Sequence, residues 1–381
     1  MSEAVERFEI RVEESVLEDL RRRLALTRFP DQIEGTGWEY GCPVDYLREL
    51  VEYWRDKYDW RAQEARLARL PHFRTRIDGQ SIHFVHARSQ HTDALPLLLV
   101  HGWPGSIVEF LDVVPRLTDP TTHGGESRDA FHVIAPSLPG YGFSEPTRTR
   151  GWDPWRIARA FALLMRRLGY TRYGAQGGDW GSQVATRIAA LDPQHCAGLH
   201  TNMPIADPPK ERVALTEQDQ ADLAAMQQFS RDESGYALEQ STKPQTLGFA
   251  LNDSPAGLLA WIVEKFRTWS DCDGHPENVF TRDQLITNVM LYWVSQTITS
   301  SARLYWELQH SGAGRRAPER VGVPTGIARY PKEVIRFPRS WVERHYHVTH
   351  WAELPRGGHF AAMEQPELFV GDVRAFFRTV R

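Results

Sequence analysis

Cysteine is scarce in this chain, long apolar runs are missing, and neither charge sign dominates. The three cysteines, Cys42, Cys196 and Cys272, lie far apart among 381 residues. That excludes a disulfide framework and a thiolate metal cluster, and it fits a reducing cytoplasm, the expected location. No apolar run approaches the ~20 residues of a membrane-crossing helix, so no membrane anchor is expected. Met1 to Arg11 is charged and has no apolar segment of the kind a signal peptide carries. The net charge is −4 and no basic face is evident, so nucleic acid is not an expected partner. Internal repeats and low-complexity tracts are absent. No metal or other cofactor is expected.

What is present describes a globular protein: 41% hydrophobic and 25% charged residues, with 13 tryptophans. Residues 1–90 read as an N-terminal region. Ser15 to Leu26 has the spacing of an amphipathic helix, with Val16, Leu20 and Leu24 on one face and Ser15 as the expected N-cap. A second helix is expected over Val44 to Tyr58. Phe73 to Ile77 and Ser81 to Ala87 flank Asp78-Gly79, a strong hairpin signal.

From residue 91 to 203 strand and helix alternate. Leu95 to Val100 and Phe131 to Ala135 are continuous apolar runs, as expected of strands buried on both faces of a parallel sheet. Helical segments are expected at Ile107 to Leu117, Trp155 to Leu168 and Ser182 to Leu191, with a strand at Tyr170 to Gln176. Residues 204–306 are helical and aromatic, and read as a lid inserted over the carboxyl ends of the strands. Alternation returns in 307–381, with strands at Val323 to Tyr330 and Tyr346 to Leu354 and a closing helix from Pro366 to Phe377. This order predicts an α/β fold with a mostly parallel sheet.

Between the strand at 170–176 and its helix stands Gly177-Gly178-Asp179-Trp180-Gly181. It has the spacing of a nucleophile elbow, with aspartate in the serine position. A serine there makes acyl-enzymes from esters and amides. A carboxylate makes an alkyl ester instead, so it must attack a saturated carbon bearing a leaving group. Epoxides and haloalkanes are the candidate substrates.

Together with three further motifs, the elbow resembles the α/β-hydrolase epoxide hydrolases. The motifs are His101-Gly102-Trp103-Pro104-Gly105-Ser106, Pro139-Gly140-Tyr141-Gly142-Phe143-Ser144 and Gly357-Gly358-His359-Phe360-Ala361. The N-terminal region, Thr242-Lys243-Pro244 and Leu251-Asn252-Asp253-Ser254-Pro255 resemble the microsomal-type branch of that family. The resemblance implies the α/β-hydrolase fold with a helical cap. It also implies an enzyme that converts an epoxide and water into a vicinal diol.

An ester on Asp179 must be hydrolysed by activated water, and histidine suits that role near neutral pH. His359 follows the last expected strand, and nucleophile before histidine is the chain order of this fold. The resemblance places its orienting acid at Glu333, in Pro331-Lys332-Glu333. Asp207 is the runner-up, and Glu353 is disfavoured because it falls within a strand. The backbone N–H groups of Trp103 and Trp180 are expected to form the oxyanion hole. Their rings are candidate substrate contacts, and the resemblance suggests a cis Trp103-Pro104 bond. It also assigns Tyr236 and Tyr305 as donors to the epoxide oxygen, with Tyr292 competing for the second place.

The rival readings are a haloalkane dehalogenase, which shares the aspartate elbow, and a non-catalytic ligand-binding hydrolase fold. The tyrosine motifs and the N-terminal region favour the epoxide, with an apolar or aryl substrate suggested by the tryptophan content. A homodimer is compatible with the sequence but not specified by it.

Overall fold

Apolar sequence builds the centre of the sheet, and turn residues set its edge. The computed structural model describes residues 4–211, 213–311 and 320–381. The strands are β1 (Glu6–Arg7), β2 (His72–Ile77), β3 (Gln80–Ala87), β4 (Leu95–Val100), β5 (Phe131–Pro136), β6 (Tyr173–Gly177), β7 (Cys196–Thr201), β8 (Val321–Arg329) and β9 (Tyr346–Glu353). They form one sheet in the order β1-β2-β3-β5-β4-β6-β7-β8-β9. From β5 to β9 every pairing is parallel, while β1, β2 and β3 join antiparallel at one edge. Leu97, Leu98 and Leu99 of β4 are fully buried, as a central parallel strand requires. The β2–β3 hairpin turns at Asp78 and Gly79, both at positive φ, so the turn's twist matches that of the strands.

Three local expectations need correction. Val16 is exposed, and Leu17 joins Leu20 and Leu24 on the buried face of the first helix instead. The first helix spans Glu14–Ala25, and Ser15 lies inside its first turn rather than capping it. Glu13 is the cap residue, and Glu14 anchors the helix start through Arg21 and Arg61. The segment 107–117 is not one helix. A 3-10 turn at Ile107–Phe110 precedes a short α-helix at Val113–Thr118.

The lid comprises helices Glu217–Asp232, Gly235–Thr242, Pro244–Leu251, Pro255–Trp269, Arg282–Ser295 and Ile298–His310. N-terminal side chains grip it. The Tyr53 hydroxyl donates to Asp283 (2.8 Å), Tyr58 meets Thr287 (3.0 Å), and Arg23 pairs with Asp253 (2.7 Å). The first lid helix buries a single residue, Asp222, which accepts hydrogen bonds from Arg329 and from Arg336. Among the described residues, no helix is long and apolar enough to cross a membrane.

Candidate active site

β6 runs into the helix Asp179–Leu191 with no intervening loop, and Asp179 takes the turn at φ +50°. A left-handed conformation at a non-glycine residue costs of order 1–3 kcal/mol. The surrounding packing sustains it. A Cβ on Gly181 would overlap the Val100 carbonyl, so only glycine lets the helix close against β4. A Cβ on Gly102 would overlap the Asp179 carboxylate itself, so the His101–Ser106 loop can approach only because that position is bare.

The loop's approach sets the carboxylate's hydrogen bonds. The Trp103 N–H donates to Asp179 Oδ1 at 2.7 Å, and the Trp180 backbone also favours the charged carboxylate. The Trp103-Pro104 bond is cis. The lid helix Arg282–Ser295 clamps this loop. Asn288 donates to the Pro104 carbonyl (2.7 Å) and accepts from the Ser106 hydroxyl (2.7 Å), and Tyr292 donates to the Gly105 carbonyl (2.6 Å). The Tyr292 hydroxyl is thus committed to the loop.

His359 faces the other carboxylate oxygen, with Nε2 3.6 Å from Asp179 Oδ2. Its Nδ1 lies 2.8 Å from Glu333 Oε1, and both side chains are almost wholly buried. Glu333 follows β8 and also accepts from the Val334 N–H (2.7 Å). The His359 loop is held from beneath by Glu364, whose carboxylate accepts from the N–H groups of Gly358, Phe360 and Asp271, each at 2.9 Å. From above, the Trp269 carbonyl accepts from the His359 N–H (2.9 Å). Asp207 lies elsewhere along the lid margin, its N–H donating to His345. Glu353 closes β9 and meets Trp351 and Arg329.

Burial pushes the Asp179 carboxyl up, against the opposing pull of His359 and the two backbone N–H groups. Burial alone would lower the His359 pKa, but Glu333 and then Asp179 outweigh it and raise the imidazolium to about 9. At neutral pH the histidine is therefore a cation between two carboxylates.

Tyr236 and Tyr305 stand on the helices Gly235–Thr242 and Ile298–His310. Their rings meet edge to face at 5.9 Å. The Trp103 ring stacks on Tyr236 (5.2 Å), and the Trp180 ring abuts Tyr305 (4.7 Å). Both hydroxyls are pushed well above their ordinary range, first by burial and in each case also by the Asp179 charge, so both remain protonated donors.

Asp179 separates two cavities. One, of about 370 Å³, is lined by Trp180, Tyr236, Tyr305 and apolar residues including Met203, Leu308 and Ile335. The other, of about 20 Å³, is lined by His359, Trp103, Gln176, Asn202 and Glu109. The structure thus brings Asp179, His359, Glu333, Trp103, Trp180, Tyr236 and Tyr305 together. Glu109, Glu364 and Trp269 were not singled out by the sequence. For Glu109 one signal existed: a lone acid within the apolar run Ile107, Val108, Phe110, Leu111.

The mostly parallel sheet, the strand–turn–helix at residue 179 and the helical lid define an α/β hydrolase. Two family models agree: the epoxide hydrolase N terminus matches residues 5–110, and the alpha/beta hydrolase fold matches residues 96–245. Epoxide hydrolase 1 of Sus scrofa is 41% identical over 98% of this chain and 88% of its own length. The crystal structure of juvenile hormone epoxide hydrolase from the silkworm Bombyx mori is 34% identical. It covers all of this chain and 95% of its own, with a TM-score of 0.91. The Aspergillus niger epoxide hydrolase structure is 31% identical over 99% of this chain and 97% of its own, with a TM-score of 0.88. The chain belongs to the epoxide hydrolases, and it is a hydrolase of that type.

Proposed function

We propose that Asp179 opens the epoxide to a hydroxyalkyl ester, and that His359, oriented by Glu333, activates the water that hydrolyses it to a vicinal diol. The observation that carries this reading is the position of Asp179 between a tyrosine-bearing cavity and a histidine-bearing one. The substrate lies in the larger cavity with its oxygen against the Tyr236 and Tyr305 hydroxyls. Oδ2 of Asp179, the oxygen left free by the Trp103 N–H, attacks one ring carbon in line. The ring C–O bond breaks, and the alkoxide takes its proton from the tyrosine pair, which is restored by the proton His359 gives up before hydrolysis.

Ester formation removes the Asp179 charge. His359 then loses one of the carboxylates that raise its pKa, and its basic form becomes accessible when water must be deprotonated. Water adds to the Asp179 carbonyl carbon and gives its proton to His359 Nε2. The Trp103 and Trp180 N–H groups hold the negative charge that develops on Oδ1. Collapse breaks the bond from the carbonyl carbon to Oδ2, which leaves as the new hydroxyl of the diol, protonated by His359; the Asp179 carboxyl left behind then passes its proton to His359, which restores the starting pair.

Aromatic rings and aliphatic side chains around the larger cavity support an apolar or aryl epoxide as substrate. A cytoplasmic location is supported by the free thiols of Cys42, Cys196 and Cys272. Styrene oxide is the test substrate. The expected result is phenylethanediol from the native chain and none from Asp179→Asn. Halide release from chloroalkanes without diol formation from styrene oxide would favour dehalogenation instead.

A further inference from the structure

The chemistry above leaves one acid beside Asp179 unassigned. Glu109 lies in the 3-10 turn Ile107–Phe110, among buried Ile107, Val108 and Phe110. It does not follow those side chains into the core. A Cβ on Gly105 would overlap the Glu109 carboxylate, so the carboxylate folds back over the bare glycine of the His101–Ser106 loop. There it borders the smaller cavity, in company with Asp179 and His359.

That cavity has the size of one water: about 20 Å³, against a minimum of roughly 10–15 Å³ for occupancy. A buried water also needs two to four polar partners. Glu109, His359, Asp179 and Gln176 border the cavity. Gln176 gives its amide N–H to Asn202 (3.2 Å), while its carbonyl oxygen is buried without a partner. Burial raises the Glu109 carboxyl to about 8, against the pull of His359 and the Ser106 and Gly102 backbones. It is therefore largely a neutral acid at pH 7, offering one donor and one acceptor. Glu109 does not border the larger cavity, where the tyrosines stand.

We propose that Glu109 is a further catalytic residue, which holds the hydrolytic water between His359 and the Asp179 ester. The proposal rests on the covalent reading given above. The water gives one proton to His359 Nε2 as its oxygen bonds to the ester carbonyl carbon. Its other hydrogen stays bonded to the Glu109 carboxyl, which neither gains nor loses a proton. His359 returns its proton to the departing alkoxide.

The position across Asp179 from the tyrosines makes the proposal specific to the second half-reaction. The test uses the full chain, styrene oxide, rapid quench and intact mass, with Glu109→Met, which keeps the length and removes the polar atoms, and Glu109→Asp as variants. Glu109→Asp keeps the acid but withdraws it by one methylene. In both, alkylation should stay within about twofold of native while ester hydrolysis slows roughly tenfold or more. Alkylated enzyme should then dominate the steady state. Native hydrolysis rates in both variants would overturn the proposal. So would equal loss in the two steps, as expected of a merely structural acid. If His359→Gln and the native chain both turn over without any ester, the covalent reading itself fails and this proposal falls with it.

Discussion

Replacing His359 with glutamine separates the two half-reactions, and the geometry gives the size of each effect. The imidazole is the general base for hydrolysis, a role worth about 10²–10⁴ in rate, or about 3–5 kcal/mol of barrier. Hydrolysis should slow by that factor and the ester should accumulate. The substitution also removes a cation 3.6 Å from Asp179 Oδ2. Such a pair is worth about 5 kcal/mol at an effective dielectric constant near 20. The Asp179 pKa, already raised by burial, should rise further. The acid limb of alkylation therefore moves to higher pH, and the ester should form fastest in alkaline buffer. Trp103 and Trp180 adjoin Asp179, so tryptophan fluorescence should report alkylation in stopped flow. Intact mass should show an adduct equal to the epoxide. The stability cost is that of breaking a buried pair, about 3–5 kcal/mol, so a melting curve accompanies the kinetics. A variant that hydrolyses at the native rate, or that never gains the adduct at any pH, would refute the reasoning.

Tyr236→Phe and Tyr305→Phe should each slow alkylation by roughly 10²–10³, the usual cost of one oxyanion donor, while hydrolysis of preformed ester stays near native; single-turnover rates test this. In Gly102→Ala the new methyl group would overlap the Asp179 carboxylate. Loss of diol formation with little change in circular dichroism is expected. Asp222→Ala leaves Arg329 and Arg336 without their buried carboxylate. Lowered thermal stability of about 3–5 kcal/mol, with proteolysis beginning in the helix Glu217–Asp232, is the predicted outcome.

The centre of the fold was readable because its strands carry their environment in their composition. Leu95–Val100 is apolar throughout, and both of its ends match the expectation. The elbow was readable because its glycine spacing, weak by itself, sits between a strand and a helix and ahead of the His359 motif in chain order. The helix Trp60–Leu67 was not foreseen, since Trp60 and Leu67 are its only buried residues and leave little periodicity. The break in 107–117 was equally hidden. An apolar run does not reveal that Glu109 must turn back over Gly105, because that contact comes from the loop's three-dimensional path. The choice among tyrosines was legible only through the family resemblance. Tyr292 differs from Tyr305 in what its hydroxyl meets, the Gly105 carbonyl, and no local sequence pattern encodes that partner. Glu364 likewise supports His359 through backbone N–H groups, which leave no trace in side-chain spacing.

The central claim is that Asp179 forms the covalent intermediate and that water attacks its carbonyl carbon. A single turnover in ¹⁸O-water, with enzyme in excess over styrene oxide and peptide mass analysis afterwards, tests it most directly. The account predicts ¹⁸O in the peptide bearing Asp179 and unlabelled oxygen in the first diol released. Label in the diol with none at Asp179 would mean that water attacks the epoxide directly, and would contradict the account.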